Sequence, residues 1–233
     1  MAKPVCVVAG VGPGNGLAIS QRFAQADYQI AMLARQESTL EPLQAQVANS
    51  MALPCDLTES RDIAATFARV KAELGPPDVL IYNAGSGLFG APLDTRPEDF
   101  TTAWRVNALG LLLSAQQVAP DMISRGGGSI IVTGATASLR GGANFTAFAS
   151  AKAAQRNLAQ SLSRSLGPQG VHVALVIVDG IIDTPRTREL FGDKPDATYL
   201  KPAAIADSVF QISAQDRSAW TFELDLRPSG EAW

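Results

Sequence analysis

The chain has 233 residues, 46% hydrophobic and 18% charged, with a net charge of -3 at pH 7. That length carries one large α/β domain with a buried core, and that composition excludes a disordered or fibrous chain. The slightly acidic balance gives no broad attraction to nucleic acid or to an anionic membrane, so neither is expected as a partner.

Strand-like apolar runs fall at 4–9, 29–34, 51–54, 79–82, 129–133, 171–178 and 220–226, and helix-length segments at 16–26, 37–47, 60–74, 97–124, 144–166 and 202–214. Strand–helix alternation predicts a doubly wound α/β fold, with about seven parallel strands flanked by helices on both faces. Most of the strands are apolar throughout, as strands covered on both faces must be. No repeat or linker divides the chain, so residues 1–233 read as one domain. The stretch 185–199 breaks the rhythm with mixed charge, Gly192 and Pro195, and residues 185–200 are expected to form a substrate-binding loop. Cys6 and Cys55 lie in apolar strand-like runs and read as free buried thiols in a reducing cytoplasm. No apolar stretch reaches the ~18 residues of a membrane span, and the run 5–9 is too short for a secretory signal. A cytoplasmic location is expected.

The first strand runs into Gly10-Val11-Gly12-Pro13-Gly14-Asn15-Gly16 and then a helix. Glycines allow a tight turn and close backbone approach, and the helix start offers free N–H groups to a pyrophosphate. About twenty residues on, an NAD site places an acidic side chain against the ribose 2′-hydroxyl. Here Ala34 is followed by Arg35, which suits a 2′-phosphate and favours NADP(H). Asp56, followed by Leu57, ends the third strand, where its carboxylate is placed to accept from an adenine amino group. Asn83-Ala84-Gly85 ends the fourth, a turn small enough for a cofactor to lie close. Each of these also has a plain turn reading.

These residues resemble the short-chain dehydrogenase/reductase family along essentially the whole chain. Gly10-xxx-Gly14-x-Gly16 looks like its cofactor turn, and Tyr82-Asn83-Ala84-Gly85 like its Asn-Asn-Ala-Gly strand end. Asn107 matches the asparagine of its fourth helix, and Lys152 the lysine of its Tyr-x-x-x-Lys motif. Asp179-Gly180-Ile181-Ile182-Asp183-Thr184 resembles its Pro-Gly-x-Ile-x-Thr stretch. The resemblance implies catalytic roles for Asn107 and Lys152, and cofactor contacts from Lys152, Gly180, Ile182 and Thr184. It also implies a homodimer or homotetramer built on the two long helices.

Two catalytic positions depart from the pattern. Phe148 stands where the family has its tyrosine, four residues before Lys152, and Ala135 stands where it has serine. In the family the tyrosine protonates the substrate oxygen, the lysine lowers the tyrosine's pKa and bonds the nicotinamide ribose, and the serine helps hold the oxygen. General acid–base catalysis is worth roughly 10²–10⁴-fold and one oxyanion donor roughly 10²–10³-fold, so ordinary ketone reduction is expected to be impaired. Three readings stay open. One is a reductase with another proton source, for which Thr136, Ser138 and Asp179 are the nearby candidates, Asp179 reading first as a turn or capping carboxylate and then as catalytic, and the two hydroxyls first as turn residues. Another is reduction of iminium, enone or quinone groups against an apolar wall of Phe148, Phe145 and Ala135. The third is dinucleotide binding without redox chemistry, as in a sensor, a partner subunit or a non-redox enzyme. His172 reads as a structural side chain, Tyr199 as facing substrate or packing, and Trp233 as closing a pocket or an interface. No metal-ligand spacing occurs, so no metal is expected.

Overall fold

The computed structural model describes residues 2–192 and 194–230. Trp233 lies outside the described residues. In chain order the elements are β1 (Val5–Ala9), α1 (Asn15–Gln25), β2 (Gln29–Ala34), α2 (Glu37–Gln44), β3 (Ser50–Pro54), α3 (Ser60–Glu73), β4 (Val79–Tyr82), α4 (Pro97–Trp104), α5 (Gly110–Ser124), β5 (Gly128–Ala135), α6 (Thr146–Leu166), β6 (Val171–Val178), β7 (Ile181–Ile182), α7 (Pro185–Phe191), β8 (Tyr199–Leu200), α8 (Pro202–Ser213) and β9 (Glu223–Leu226).

Seven strands form one parallel sheet in the order β3-β2-β1-β4-β5-β6-β9. Alternation along β1 explains why its sequence is apolar throughout. Val5, Val7 and Ala9 enter the core packed by Ile63 and Phe67 of α3, Leu111 and Val118 of α5 and Ala159 of α6. Cys6 and Val8 enter the opposite core, with Ile19 and Phe23 of α1, Leu40 of α2 and Ile205 and Val209 of α8. Both cysteines are free and buried.

The structure moves several expected boundaries. β5 runs on to Ala135, so that residue sits at a strand end. The last strand begins at Glu223 rather than at 220, because Trp220 follows a short 3-10 turn. The segment 97–124 is helical along its length but is widened by a π turn at Arg105–Leu109. The stretch 185–199 is not the irregular loop its composition suggests. It holds α7, started by Pro185 at its first position and by a Thr184–Thr187 capping box, then a 3-10 turn at Asp196–Thr198, and it ends in β8, which pairs in parallel with β7 just before the stretch. Short local capping signals without a long apolar stripe hid this helix from a periodicity reading. Among the described residues no helix is long and apolar enough to cross a membrane.

Candidate functional site

All seven strands end on one edge of the sheet, and the winding reverses between β1 and β4. In open parallel sheets, ligands gather in the crevice at such a reversal. Asn83 fastens it, its Nδ2 donating to the Gly10 carbonyl at 2.8 Å. The Gly10 and Val11 amides both donate to Leu33 at the end of β2. Gly10 has φ +97°, and a Cβ there would stand 2.5 Å from the Ala84 backbone. A Cβ on Gly16 would stand 2.7 Å from the Gly10 carbonyl oxygen. Gly10, Gly16 and Ala84 therefore serve the packing of turn on turn. Gly12 is different, since an added Cβ would meet nothing within 4 Å.

Gly14 caps α1 without a side-chain hydrogen bond; the Leu17 and Ala18 amides donate to the Gly12 and Gly14 carbonyls, which leaves the Asn15 and Gly16 amides to an outside acceptor. Asn15 Oδ1 is buried and has no partner among the described residues. An orphaned acceptor beside free helix N–H groups fits a ligand carrying both an anion and hydroxyls, which a dinucleotide does. Arg35 is exposed just past β2 and makes no ion pair among the described residues. Asp56 Oδ1 accepts from the Thr58 amide and hydroxyl at 2.8 Å, while the Leu57 side chain is buried in the core of the α3 and α5 face. Leu57 thus has only its backbone to offer a ligand.

Lys152 and Asn107 come together against Gly85. A Cβ on Gly85 would lie 3.4 Å from Asn107 Oδ1 and 3.5 Å from Lys152 Nζ. Lys152 Nζ donates to the Thr133 carbonyl and to Gln155 Oε1, each at 2.9 Å. Burial pushes its ammonium down from 10.5 to about 8. Asn107 is fully buried in the π turn. Its Nδ2 donates to the Ala103 carbonyl at 2.9 Å and to Ser86 Oγ at 3.3 Å, and its Oδ1 has no partner among the described residues.

One turn before Lys152, Phe148 packs edge-on against Phe89 and Phe145, with ring centroids 5.3 and 5.9 Å away. Phe89 is 62% exposed and Phe145 38%, so the cluster opens an aromatic face to solvent. The hydroxyl and carboxylate candidates nearby are already engaged. Ser138 Oγ donates to the Ala135 carbonyl at 2.6 Å. Thr136 Oγ1 donates to Asp179 Oδ1, and Asp179 Oδ2 lies 2.6 Å from Arg227 Nη2. Both oxygens of Asp179 thus face protein partners, Thr136 and Arg227.

Beyond Asp179 the chain folds back over the glycine turn. Gly180 approaches Pro228, Ile182 packs on the α1 and α8 core, and the Thr184 methyl lies 2.9 Å from where a Gly14 Cβ would be. Arg188 then grips Asp183 with two hydrogen bonds of 2.7 and 3.0 Å and reaches Asp196 at 2.8 Å. Tyr199 is buried under Arg188, its hydroxyl donating to the Gly192 carbonyl; packing accounts for it.

The sequence profile of the short chain dehydrogenase family matches residues 4–195. The chain belongs to the short-chain dehydrogenase/reductase family. Carbonyl reductase family member 4 of Xenopus laevis is 28% identical over 210 residues, covering 88% of this chain and 89% of that relative. Among solved structures, a short-chain dehydrogenase from Rhodopseudomonas palustris is 33% identical with a TM-score of 0.84, covering 97% of this chain and 98% of that one. A metagenomic short-chain oxidoreductase crystallised with NADP is 27% identical with a TM-score of 0.85, covering 99% of each chain.

In this short-chain dehydrogenase/reductase, three contributors to the site escaped the sequence reading. Arg227, just past the last strand, holds Asp179; Ser86 meets Asn107; and Gln155 joins Lys152 to the π turn. Only Gln155 left a signal, as a polar residue on the buried face of α6 shared by Ala151, Lys152 and Ala159. His172 is structural, stacked on Trp220 with Nε2 2.8 Å from the Thr221 carbonyl oxygen. A cavity of about 730 Å³ lined by Lys3, Gln29, Gln44 and Asn49 lies at the opposite, amino-terminal edge of the strands and is remote from this chemistry.

Proposed function

We propose that this chain is an NADP(H)-dependent oxidoreductase acting on a small apolar organic substrate by hydride transfer without a tyrosine proton donor. The observation that carries the reading is the pairing of a retained Lys152–Asn107 pocket with an aromatic face where the tyrosine hydroxyl would stand. Bound in the crevice, the nicotinamide would supply a hydride equivalent. The turn Gly10 to Gly16 would hold the pyrophosphate, with Gly12 on the open side, and the Arg35 guanidinium would pair with the 2′-phosphate. Lys152 and Asn107 would hold the nicotinamide ribose, beside Asn83, Ala84 and Gly85.

Phe148, Phe145 and Phe89 offer no proton and no oxyanion donor, and Ala135 adds none. The substrate such a wall serves is apolar and carries an iminium, a conjugated C=C or a quinone-like carbonyl that develops little localised oxyanion. The engagement of Thr136, Ser138 and Asp179 by protein partners also supports a second reading, a dinucleotide-binding protein without turnover. Exposed Phe100 and Trp104 on α4 support assembly as a homodimer or homotetramer, which light scattering would read.

Titration with NADPH and NADH, followed by nicotinamide fluorescence, tests the cofactor. NADPH binding at least ~10-fold tighter than NADH, abolished as a preference by Arg35→Ala, supports the reading. Tighter NADH binding, or none of either, overturns it. A panel of imines, enones, quinones and ketones then separates a reductase from a binding protein.

A further inference from the structure

We infer that Gln155 is a positioning residue, which holds the Lys152 ammonium toward the crevice by tying it to the π turn of Asn107. In the π turn the Gly110 amide bonds five residues back, to Arg105, which releases neighbouring carbonyls from the ordinary helical ladder. Two buried side chains take up consecutive carbonyls there. Tyr82 Oη donates to the Val106 carbonyl at 2.5 Å, and Gln155 Nε2 donates to the Asn107 carbonyl at 3.0 Å. The other end of the Gln155 amide accepts from Lys152 Nζ at 2.9 Å.

Gln155 is fully buried, so no water competes for either end. A primary amide carries donor and acceptor together, which glutamate in its ionised form and methionine do not. The Thr133 carbonyl takes a second ammonium N–H at 2.9 Å. The third has no partner among the described residues, and Nζ stands beside the side of Gly85 that lacks a Cβ. Gln155 thus fixes which direction the last donor of Lys152 faces, and it supports the charged form against burial.

The charged and titratable groups on the surrounding elements are directed elsewhere. Tyr82 is held by Val106, Arg105 pairs outward with Glu59, Arg156 pairs with Glu223, and Asp179 pairs with Arg227. Burial alone lowers Lys152.

The role of the aimed donor rests on the proposed function; the link from Gln155 to Lys152 does not. The test therefore begins without cofactor, following lysine side-chain NMR of the isotope-labelled protein against pH, with Lys152 assigned by Lys152→Arg. In the wild-type chain the Lys152 midpoint should fall near 8. Gln155→Met, which removes both bonds at similar length, should move it down by about one pH unit, and Gln155→Glu should move it up by a comparable amount. If Gln155 only caps the Asn107 carbonyl, both variants lose thermal stability and neither moves the midpoint, which overturns the inference. Should Gln155→Met fail to fold, the direction shown by Gln155→Glu decides. A parallel NADPH titration should show affinity falling as pH passes 8, with Gln155→Met about 10-fold weaker at neutral pH. Wild-type protein that binds no NADPH overturns the proposed function while the apo midpoints still judge Gln155.

Discussion

Arg227 Nη2 lies 2.6 Å from Asp179 Oδ2, and Thr136 donates to the other oxygen of the same carboxylate. This joins the ends of β5 and β6 to the segment after β9, and it places a buried ion pair where sequence alone offers a candidate acid. Arg227 is also held by Asp225 at 2.6 Å, so removing Asp179 costs one of two carboxylates and leaves the Thr136 hydroxyl without its acceptor. Asp179→Ala should therefore lose about 1–3 kcal/mol in urea unfolding, while NADPH affinity in the folded protein changes little. A variant that unfolds like wild type yet has no turnover would instead make Asp179 the proton donor.

The glycine turn divides into packing and ligand positions. Gly10→Ala meets the Ala84 backbone at 2.5 Å with φ +97° and should lose more than about 2 kcal/mol of stability. Gly12→Ala faces open space, so its melting temperature should stay near wild type while NADPH binding weakens about 10-fold or more, because a pyrophosphate must approach the backbone there. Equal stability losses in the two variants would remove that distinction.

Phe148 and Lys152 lie one helical turn apart on α6, so a hydroxyl added at Phe148 is carried on the Lys152 side of the helix. The double change Phe148→Tyr with Ala135→Ser should raise kcat/KM for simple ketones at least about 100-fold, the ordinary worth of an acid and an oxyanion donor. Nicotinamide absorbance reads it. No gain in a folded, NADPH-binding variant would mean that the aromatic cluster sets ring positions the family's chemistry does not use.

Cys55 is buried, and desolvation pushes its thiol up to about 11, the Thr66 hydrogen bond opposing and Asp62 and Asp56 adding. Its folded value is raised above the unfolded one, so its contribution is fully present below about 9 and is lost as pH rises from there to about 11. Cys55→Ala should therefore fall off less steeply than wild type across that window, by up to about 2–3 kcal/mol. Neither Cys6 nor Cys55 should react with a thiol-reactive disulfide in the native protein at neutral pH, and both should react in urea. Rapid native labelling of Cys55 would show that its burial is not maintained.

What the sequence determined by itself is the parallel sheet covered on both faces and a ligand crevice at its strand ends; the strand order came from the fold. Apolar runs such as Val171–Val178 have no other stable place than a sheet covered on both faces, and the glycine turn and Asn83-Ala84-Gly85 mark where two strands end side by side. The loss of hydroxyls at Phe148 and Ala135 is also legible, since it depends only on residue type at a motif position. Tertiary structure decided which polar groups are free. Asp179 meets Arg227, 48 residues later in the chain, a pairing that no local pattern signals. Gln155 is an unremarked polar residue in a helix until the π turn brings the Asn107 carbonyl within 3.0 Å of it. α7 was missed because a capping box and an Arg188–Asp183 clamp stabilise it, where no apolar stripe does. Burial and hydrogen-bond pairing come from distant segments, so a sequence states which groups exist, and the fold determines which of them remain available to a ligand.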